Sequence, residues 1–253
     1  MSVIGQRPAL LEVAMELPAG ARIDRHRHDV HQLVYMSTGA AEVRTDIGSW
    51  IAPPDRAIWI PAGCAHEHRF HGPTRFHSMA FVVNLLPDGA TPLVIAVPPL
   101  ARELIITCST AELPAAELDR MRQVLLDQLR RCPEQPLRLP VAADPRLREA
   151  CALVEEDLTH IWTLSALGHR VGVSERSLTR LFRTEFAMTY PQWRTQLRVH
   201  RAMQLLAEGA PVTTVAHRCG WSTPSAFIDV YRRVLGHTPG TDRATSPFAR
   251  PNA

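Results

Sequence analysis

The chain contains no lysine, and its 28 basic side chains are all arginine. Composition bias accounts for that absence, so it carries no function by itself. Cysteine is scarce and scattered: Cys64, Cys108, Cys132, Cys151 and Cys219 form no CxxC pair. That spacing argues against a zinc finger or a disulfide framework and predicts a reducing, cytoplasmic setting. No apolar run approaches the roughly 20 residues that span a bilayer. The stretch Met1 to Pro8 lacks the apolar core of a signal peptide. What remains is a 253-residue chain, 45% hydrophobic and 21% charged, with enough apolar content for two folded cores.

Charge is unevenly spread. From His160 onward there are 12 arginines and 5 acidic residues, a balance of +7. The net charge of +3 then leaves −4 for everything before it. A basic last part suggests an anionic partner for that part alone.

Residues 1–90 show little helical period. Short β-type runs recur there: residues 12–17, 32–37, 41–45, 49–51, 57–60, 66–70 and 75–83. Gly- and Pro-containing breaks separate them, among them Ser37-Thr38-Gly39 and His71-Gly72-Pro73. This pattern predicts a small antiparallel barrel or sandwich. Within it lies His26-Arg-His28-Asp-Val-His31-Gln32. If that segment is one strand, His26, His28 and Gln32 share a face and His31 takes the other. His66 and His68 share a face on a later strand. Three imidazoles (His26, His28 and His66) and the Gln32 amide oxygen would then converge, a set suited to zinc, nickel, cobalt or iron. Without a metal, the same side chains would line a pocket for an organic ligand. Trp50, Trp59, Cys64 and His68 are candidates for an effector pocket. Trp50 and Trp59 also read as core and Cys64 as a small buried hydrophobe. His31, His71 and His77 read as surface or supporting groups.

Gly20-x5-His26-x-His28-x3-Gln32-x6-Gly39 and Pro61-x-Gly63-x2-His66 resemble the two cupin motifs. The resemblance implies a metal inside a β-barrel, with His26, His28, Gln32 and His66 as its ligands. Gln32 stands where the family usually has glutamate, and Phe70 where it often has asparagine.

Residues 100–106 and 113–131 read as helices. In the second, Leu118, Met121, Leu125 and Leu129 form one stripe, for packing on the barrel or for a dimer seam. Residues 132–144 hold Pro133, Pro136 and Pro140, and Pro145 follows. They cannot form a continuous helix and read as an interdomain linker.

The last part predicts helices at roughly 145–158, 163–170, 174–186, 190–207, 212–218 and 224–235. Leu164 to Phe182 and Val212 to Arg233 repeat one design: a short apolar helix, a Gly turn, a Ser or Thr cap, then an amphipathic helix carrying arginine. That is the form of a helix-turn-helix. The outward residues of the reading helices are Ser174, Glu175, Arg176, Thr179, Arg180 and Arg183, then Thr223, Ser225, Asp229, Arg232 and Arg233. The helix between the two motifs spans about 27 Å at 1.5 Å per residue. Such a spacer can set reading helices in successive major-groove segments, about 34 Å apart.

Val173-Ser-Glu-Arg-Ser-Leu-Thr-Arg-Leu-Phe182, Arg198-x2-Arg201-Ala202-x2-Leu205-Leu206, Ala216-x3-Gly220-Trp221, Ser225-Ala226-Phe227 and Arg232-Arg233-x2-Gly236-x-Thr238-Pro239 resemble the AraC/XylS family of bacterial transcription regulators. Trp221 stands where tyrosine or phenylalanine is common. The expected whole is α+β in two domains: an antiparallel cupin or jelly-roll barrel, and an all-α domain with two helix-turn-helix motifs. Its expected bounds are 1–131 for the sensor with its helical, dimer-forming segment, 132–144 for the linker, 145–243 for the DNA-binding domain and 244–253 for a tail. The resemblance implies a regulator whose barrel senses a metal or small molecule and controls binding to double-stranded promoter DNA. It also implies a homodimer, and RNA polymerase as a partner if the protein activates. A metal-dependent cupin enzyme with an accessory helical domain is the alternative.

Overall fold

The computed structural model describes residues 3–4, 13–85, 89, 91–135 and 137–244. The expected tail lies, but for Ala244, outside the described residues. Strands come first: β1 (Val3–Ile4), β2 (Val13–Leu17), β3 (Arg22–His26), β4 (His31–Thr45), β5 (Gly48–Ala52), β6 (Arg56–Ile60), β7 (His66–Phe81) and β8 (Leu93–Ala96). Helices α1 (Pro99–Thr110) and α2 (Ala115–Arg130) follow, then the short strands β9 (Glu134–Gln135) and β10 (Arg138–Pro140). The rest is helical: α3 (Pro145–Glu156), α4 (Leu164–Arg170), α5 (Glu175–Phe186), α6 (Tyr190–Ala207), α7 (Val212–Arg218), α8 (Pro224–Leu235) and α9 (Pro239–Ala244). No described helix is long and apolar enough to cross a membrane.

The strands form one sheet, antiparallel except for the parallel pair β1–β3. It is not closed into the barrel that the strand pattern suggests. The path runs β1-β3-β7-β4-β6-β8-β9, and no described ladder joins its ends.

Two long strands organise the sheet. β4 and β7 pair with each other along most of their length. The first half of β4 is flanked by β6 and its second half by β5. The first half of β7 is flanked by β3 and its second half by β2. The sequence places turns at Gly39 and Gly72, but the chain does not reverse at either. Both glycines take positive φ, 75° and 69°, and the β4–β7 register shifts between Met36 and Ala40. A glycine here bends a strand at a bulge instead of ending it.

Three apolar clusters follow. One joins the sheet interior (Val34, Met36, Val43, Phe70 and Phe76) to Leu205, Ala216, Phe227 and Tyr231 of the second helix-turn-helix. A second lies on the opposite face, where Leu33, Tyr35 and Trp59 meet Ala101, Ile105, Leu125 and Leu129 of α1 and α2. Two residues of the α2 stripe, Leu125 and Leu129, are therefore spent on packing against the sheet, and Leu118 and Met121 are half-buried. The third cluster is the first helix-turn-helix: Leu147, Leu167, Leu178, Phe182 and Trp193. Residues 132–144 lie along the sheet, with β9 paired to β8 and β10 to β5.

The helical half matches the periodicity closely because most of its starts carry a side-chain cap. The Asp144 side chain accepts from Arg146 N, Ser174 from Ser177 N and Thr223 from Ala226 N. Thr189 and Gln192 form a reciprocal capping box at α6.

Candidate metal centre and nucleic-acid interface

The sheet brings His26, His28, His66 and His68 together. His26 closes β3 and pairs in register with His66 of β7, and His68 follows on the same face of β7. Ring centroids lie 4.3 Å apart for His26–His66, 4.9 Å for His66–His68, 5.1 Å for His28–His66 and 5.7 Å for His26–His68. One nitrogen each from His26, His66 and His68 falls within 4.8 Å of the others. The expected set of His26, His28, Gln32 and His66 is thus joined by His68, which the sequence assigns to an effector pocket. The signal was available: His68 follows His66 at strand spacing.

The route to convergence differs from the expected one. His26 to Gln32 is not a single strand. β3 stops at His26, residues 27–30 form a connection, and β4 starts at His31. The connection lets His28 turn back toward the same centre.

Main-chain carbonyls orient three of the rings. His26 Nδ1 lies 2.8 Å from Asp24 O, His28 Nδ1 2.7 Å from Val30 O and His66 Nδ1 2.8 Å from Cys64 O. An Nδ1–H donating to each carbonyl leaves the Nε2 lone pair free. The Nε2 of His66 and both ring nitrogens of His68 are buried without a hydrogen-bond partner. Gln32 Nε2 donates to Ser78 Oγ at 2.8 Å, which turns Gln32 Oε1 toward His28 Nε2 at 3.2 Å. Orphaned buried nitrogens on His66 and His68 are what a divalent cation would satisfy, so these residues fit a metal.

Burial favours the neutral ring at His26, His66 and His68. It lowers the pKa of His26, takes His66 down to about 3 and places His68 well below the ordinary 6.5. Neutral imidazole is the ligating form. Among the described residues, the side chains close enough together to share a cation are all imidazoles.

The remaining candidates separate. Trp59 does not line this centre. It pairs with Leu33, one residue from Gln32, and so sits on the opposite face. There its Nε1 donates to Asn84 Oδ1 at 3.2 Å and its ring stacks on His31. Trp50 is buried in the first cluster under the Arg138 guanidinium, 5.5 Å from the ring centre. Cys64 serves the centre through its carbonyl, and burial pushes its thiol pKa up. His77 is fully buried between Ser37 and Ser109. His71 reaches the helical domain. Neither is a surface group.

The second surface belongs to α5 and α8. Arg176, Arg180 and Arg183 are exposed on α5, Thr179 is half-buried, and with Glu175 they line one open groove. Leu178, Leu181 and Phe182 bury the other side. On α8, Ser225, Asp229, Arg232 and Arg233 are exposed while Phe227 and Tyr231 are buried. The hydroxyls of Ser174 and Thr223 are engaged by their own helix amides, so they fix the helix starts. Arg232 and Arg233 occupy the last turn, where the helix dipole favours cations. Trp221 is buried beneath Arg198, whose guanidinium lies 4.0 Å from the ring centre, and Arg198 Nε donates to Cys219 O at 2.6 Å. Arg198 therefore holds the second motif together and is not a reading group.

Two family profiles match the chain: a helix-turn-helix domain over residues 167–245 and a cupin domain over residues 13–82. The HTH-type transcriptional regulator NimR of Escherichia coli (strain K12) is 31% identical over 218 residues, 85% of this chain and 80% of NimR. The HTH-type transcriptional regulator GadX of Escherichia coli O157:H7 is 31% identical over 118 residues, 46% of this chain and 43% of GadX. Among solved structures, an AraC-type transcriptional regulator from Chromobacterium violaceum is 31% identical over 43% of this chain and 96% of that chain, with a TM-score of 0.38. The chain belongs to the AraC family of helix-turn-helix transcription regulators, with a cupin domain ahead of its DNA-binding domain.

Proposed function

We propose that the cupin domain is the sensor of this regulator and that its input is a divalent transition metal, or a small molecule bound through one. The observation that carries this reading is the set of buried imidazoles whose Nε2 atoms have no partner. His26, His28, His66 and His68 would hold the ion, with Gln32 Oε1 as a further donor. Four imidazoles and a neutral amide favour zinc, nickel, cobalt or iron over magnesium or calcium. When bound, the metal would supply positive charge and an attachment point for an anionic effector. The chain's own part is to tie the Nδ1–H groups of His26, His28 and His66 to carbonyls and to bury His66 and His68.

Residues 1–131 form the sensor in this reading, 132–144 the connection and 145–243 the DNA-binding domain. Arg176, Arg180 and Arg183 of α5 and Ser225, Asp229, Arg232 and Arg233 of α8 face promoter DNA. The protein works in the cytoplasm as a homodimer, a part of the reading that rests on the family, and it meets RNA polymerase where it activates. The regulator reading, and not an enzymatic one, is favoured because NimR, which aligns over 85% of this chain, is a transcriptional regulator. Turnover of a substrate by the iron- or manganese-loaded protein would revive the enzymatic alternative.

The test is elemental analysis of protein purified without an affinity tag, beside a His66→Ala/His68→Ala double variant. One equivalent of metal in the wild type and none in the variant is expected. Equal metal in both would end the metal reading and leave a metal-free pocket.

A further inference from the structure

The sheet grips the helical domain through one buried carboxylate. Glu42, on the second half of β4, is 1% exposed. Arg44 Nε donates to its Oε1 at 2.8 Å, and His71 Nε2 of β7 lies 3.5 Å from its Oε2. Two groups of α6 reach it from the other domain: Gln204 Nε2 at 3.5 Å and His200 Nε2 at 3.8 Å. Arg201 Nη1 holds Gln204 Oε1 at 2.8 Å. Just past α6, Glu208 Oε1 lies 3.4 Å from the other nitrogen of His71. The charged groups around Glu42 are thus Arg44 on its own strand, His71 on β7, His200 and Arg201 on α6, Glu208 beyond it, and Glu155 on α3.

This attachment is one-sided. The sheet interior shares an apolar cluster with the second helix-turn-helix, while the first half keeps its own. Between the sheet and α3 lies a cleft of about 660 Å³, lined by Arg44, Arg148, Cys151, Glu155 and Leu197 among others. β4 and β7 are also the strands of the histidine centre. Val43 pairs with His68, and Ala40 with His71.

We propose that Glu42 is a positioning residue for DNA recognition: it pins α6, and through α6 the second reading helix, to the sheet that carries the histidine centre. The sensor then sets the geometry of the reading domain by direct contact across this carboxylate. The proposal rests on the double helix-turn-helix function and does not need the centre to hold a metal. Loss of metal binding alone would leave it standing.

The test uses the full chain and trypsin. Arg138 of β10 is exposed with its guanidinium against Trp50, while Leu137 beside it shares an apolar cluster with Val199 and Met203 of α6, so lifting α6 frees this segment for cleavage. Cleavage there is timed by intact mass between pH 5 and 9 for the wild type, Glu42→Gln, Glu42→Asp and Glu208→Gln, each rate divided by that of trypsin on an unstructured arginine peptide at the same pH. Expected are a slow, pH-dependent rate in the wild type, a rate at least tenfold faster and nearly flat with pH in Glu42→Gln, and partial rescue in Glu42→Asp. A folded Glu42→Gln protein, judged by circular dichroism, cut at the wild-type rate with the wild-type pH profile would overturn the proposal. If Glu42→Gln does not fold, Glu208→Gln decides, because its carboxylate sits at the exposed rim. About threefold faster cleavage at neutral pH supports the pin; an unchanged rate and profile refutes it.

Discussion

Arg56, at the start of β6, donates from Nη2 to the main-chain oxygen of Leu235 at 2.6 Å. Leu235 is the last residue of α8. A sheet side chain therefore satisfies a carbonyl that the second reading helix leaves open at its end. Asp55 completes the clasp by pairing with Arg56 and, at 2.9 Å, with His237 Nε2. Arg56→Ala should remove a charge-assisted hydrogen bond and leave a buried carbonyl unpaired. The expected loss is about 1–3 kcal/mol in urea denaturation, with added amide exchange confined to α8. An unchanged midpoint would show that the clasp is decorative.

Gly72 sits where the sheet approaches the end of α6 closely. Its φ is 69°, and a Cβ built there runs into the carbonyl of Ala207 at the end of α6. Gly72→Ala should cost about 1–3 kcal/mol from backbone conformation alone, with further loss from the clash. Trypsin should also cut the 132–144 segment faster. A Gly20→Ala control meets nothing within 4 Å at a similar φ of 76°, so it isolates the conformational part. Equal effects from both would contradict the close contact.

Interdomain stability should peak near pH 6.5. His71 is raised: burial lowers its pKa, but hydrogen bonds to Glu208 and Glu42 outweigh that. Its contribution is full below 6.5 and lost as pH rises through the raised value. His200 is lowered to about 4, chiefly by burial. Its neutral form is favoured in the fold, so stability falls as pH drops from 6.5 toward 4. Glu42 is ionised across this window: burial would raise its pKa, but the hydrogen bonds from His71 and Arg44 outweigh it. Thermal midpoints from pH 4.5 to 9 should trace a maximum in wild type. They should lose the alkaline slope in His71→Gln.

DNA affinity should divide by residue type. Arg176→Ala and Arg180→Ala alter exposed groups on the groove of α5, and a base contact there is worth about 1–3 kcal/mol at one position of the site. Arg232→Ala or Arg233→Ala, in the last turn of α8, should weaken all duplexes alike and lower the salt slope by about one. Anisotropy titrations between 50 and 300 mM salt on a duplex selected from a random pool separate these outcomes. Uniform losses from all four variants would mean that α5 grips backbone only.

The helical half was the more legible in sequence. α5, α6 and α8 fell where Ser174, Thr189 and Thr223 cap an apolar period, because capping and periodicity are local. The sheet was less so. Gly39 and Gly72 read as turns, yet they sit at bends inside continuous strands, since what a positive-φ glycine does depends on which strand lies opposite. Barrel closure was likewise a pairing question that alternation cannot answer. The spacing makes His26, His28 and His66 legible, and it assigns His68 to an effector pocket although it shares a strand face with His66. Trp59 is also a pocket candidate, and its parity against Gln32 puts it on the other face. The Glu42 network could not be read at all: Glu42, His71, His200 and Glu208 come from distant segments, and nothing local marks them as partners.

The most direct measurement is the dissociation constant for a selected duplex, taken in chelator and then with one equivalent of zinc, nickel, cobalt or iron(II). At least one metal should shift it tenfold or more, a coupling of about 1.4 kcal/mol. The same metal should bind the protein–DNA complex with a reciprocally altered affinity. His66→Ala/His68→Ala should abolish the shift while still binding DNA. Constants that agree within twofold in chelator and in all four metals would contradict a metal-sensing role for the histidine centre.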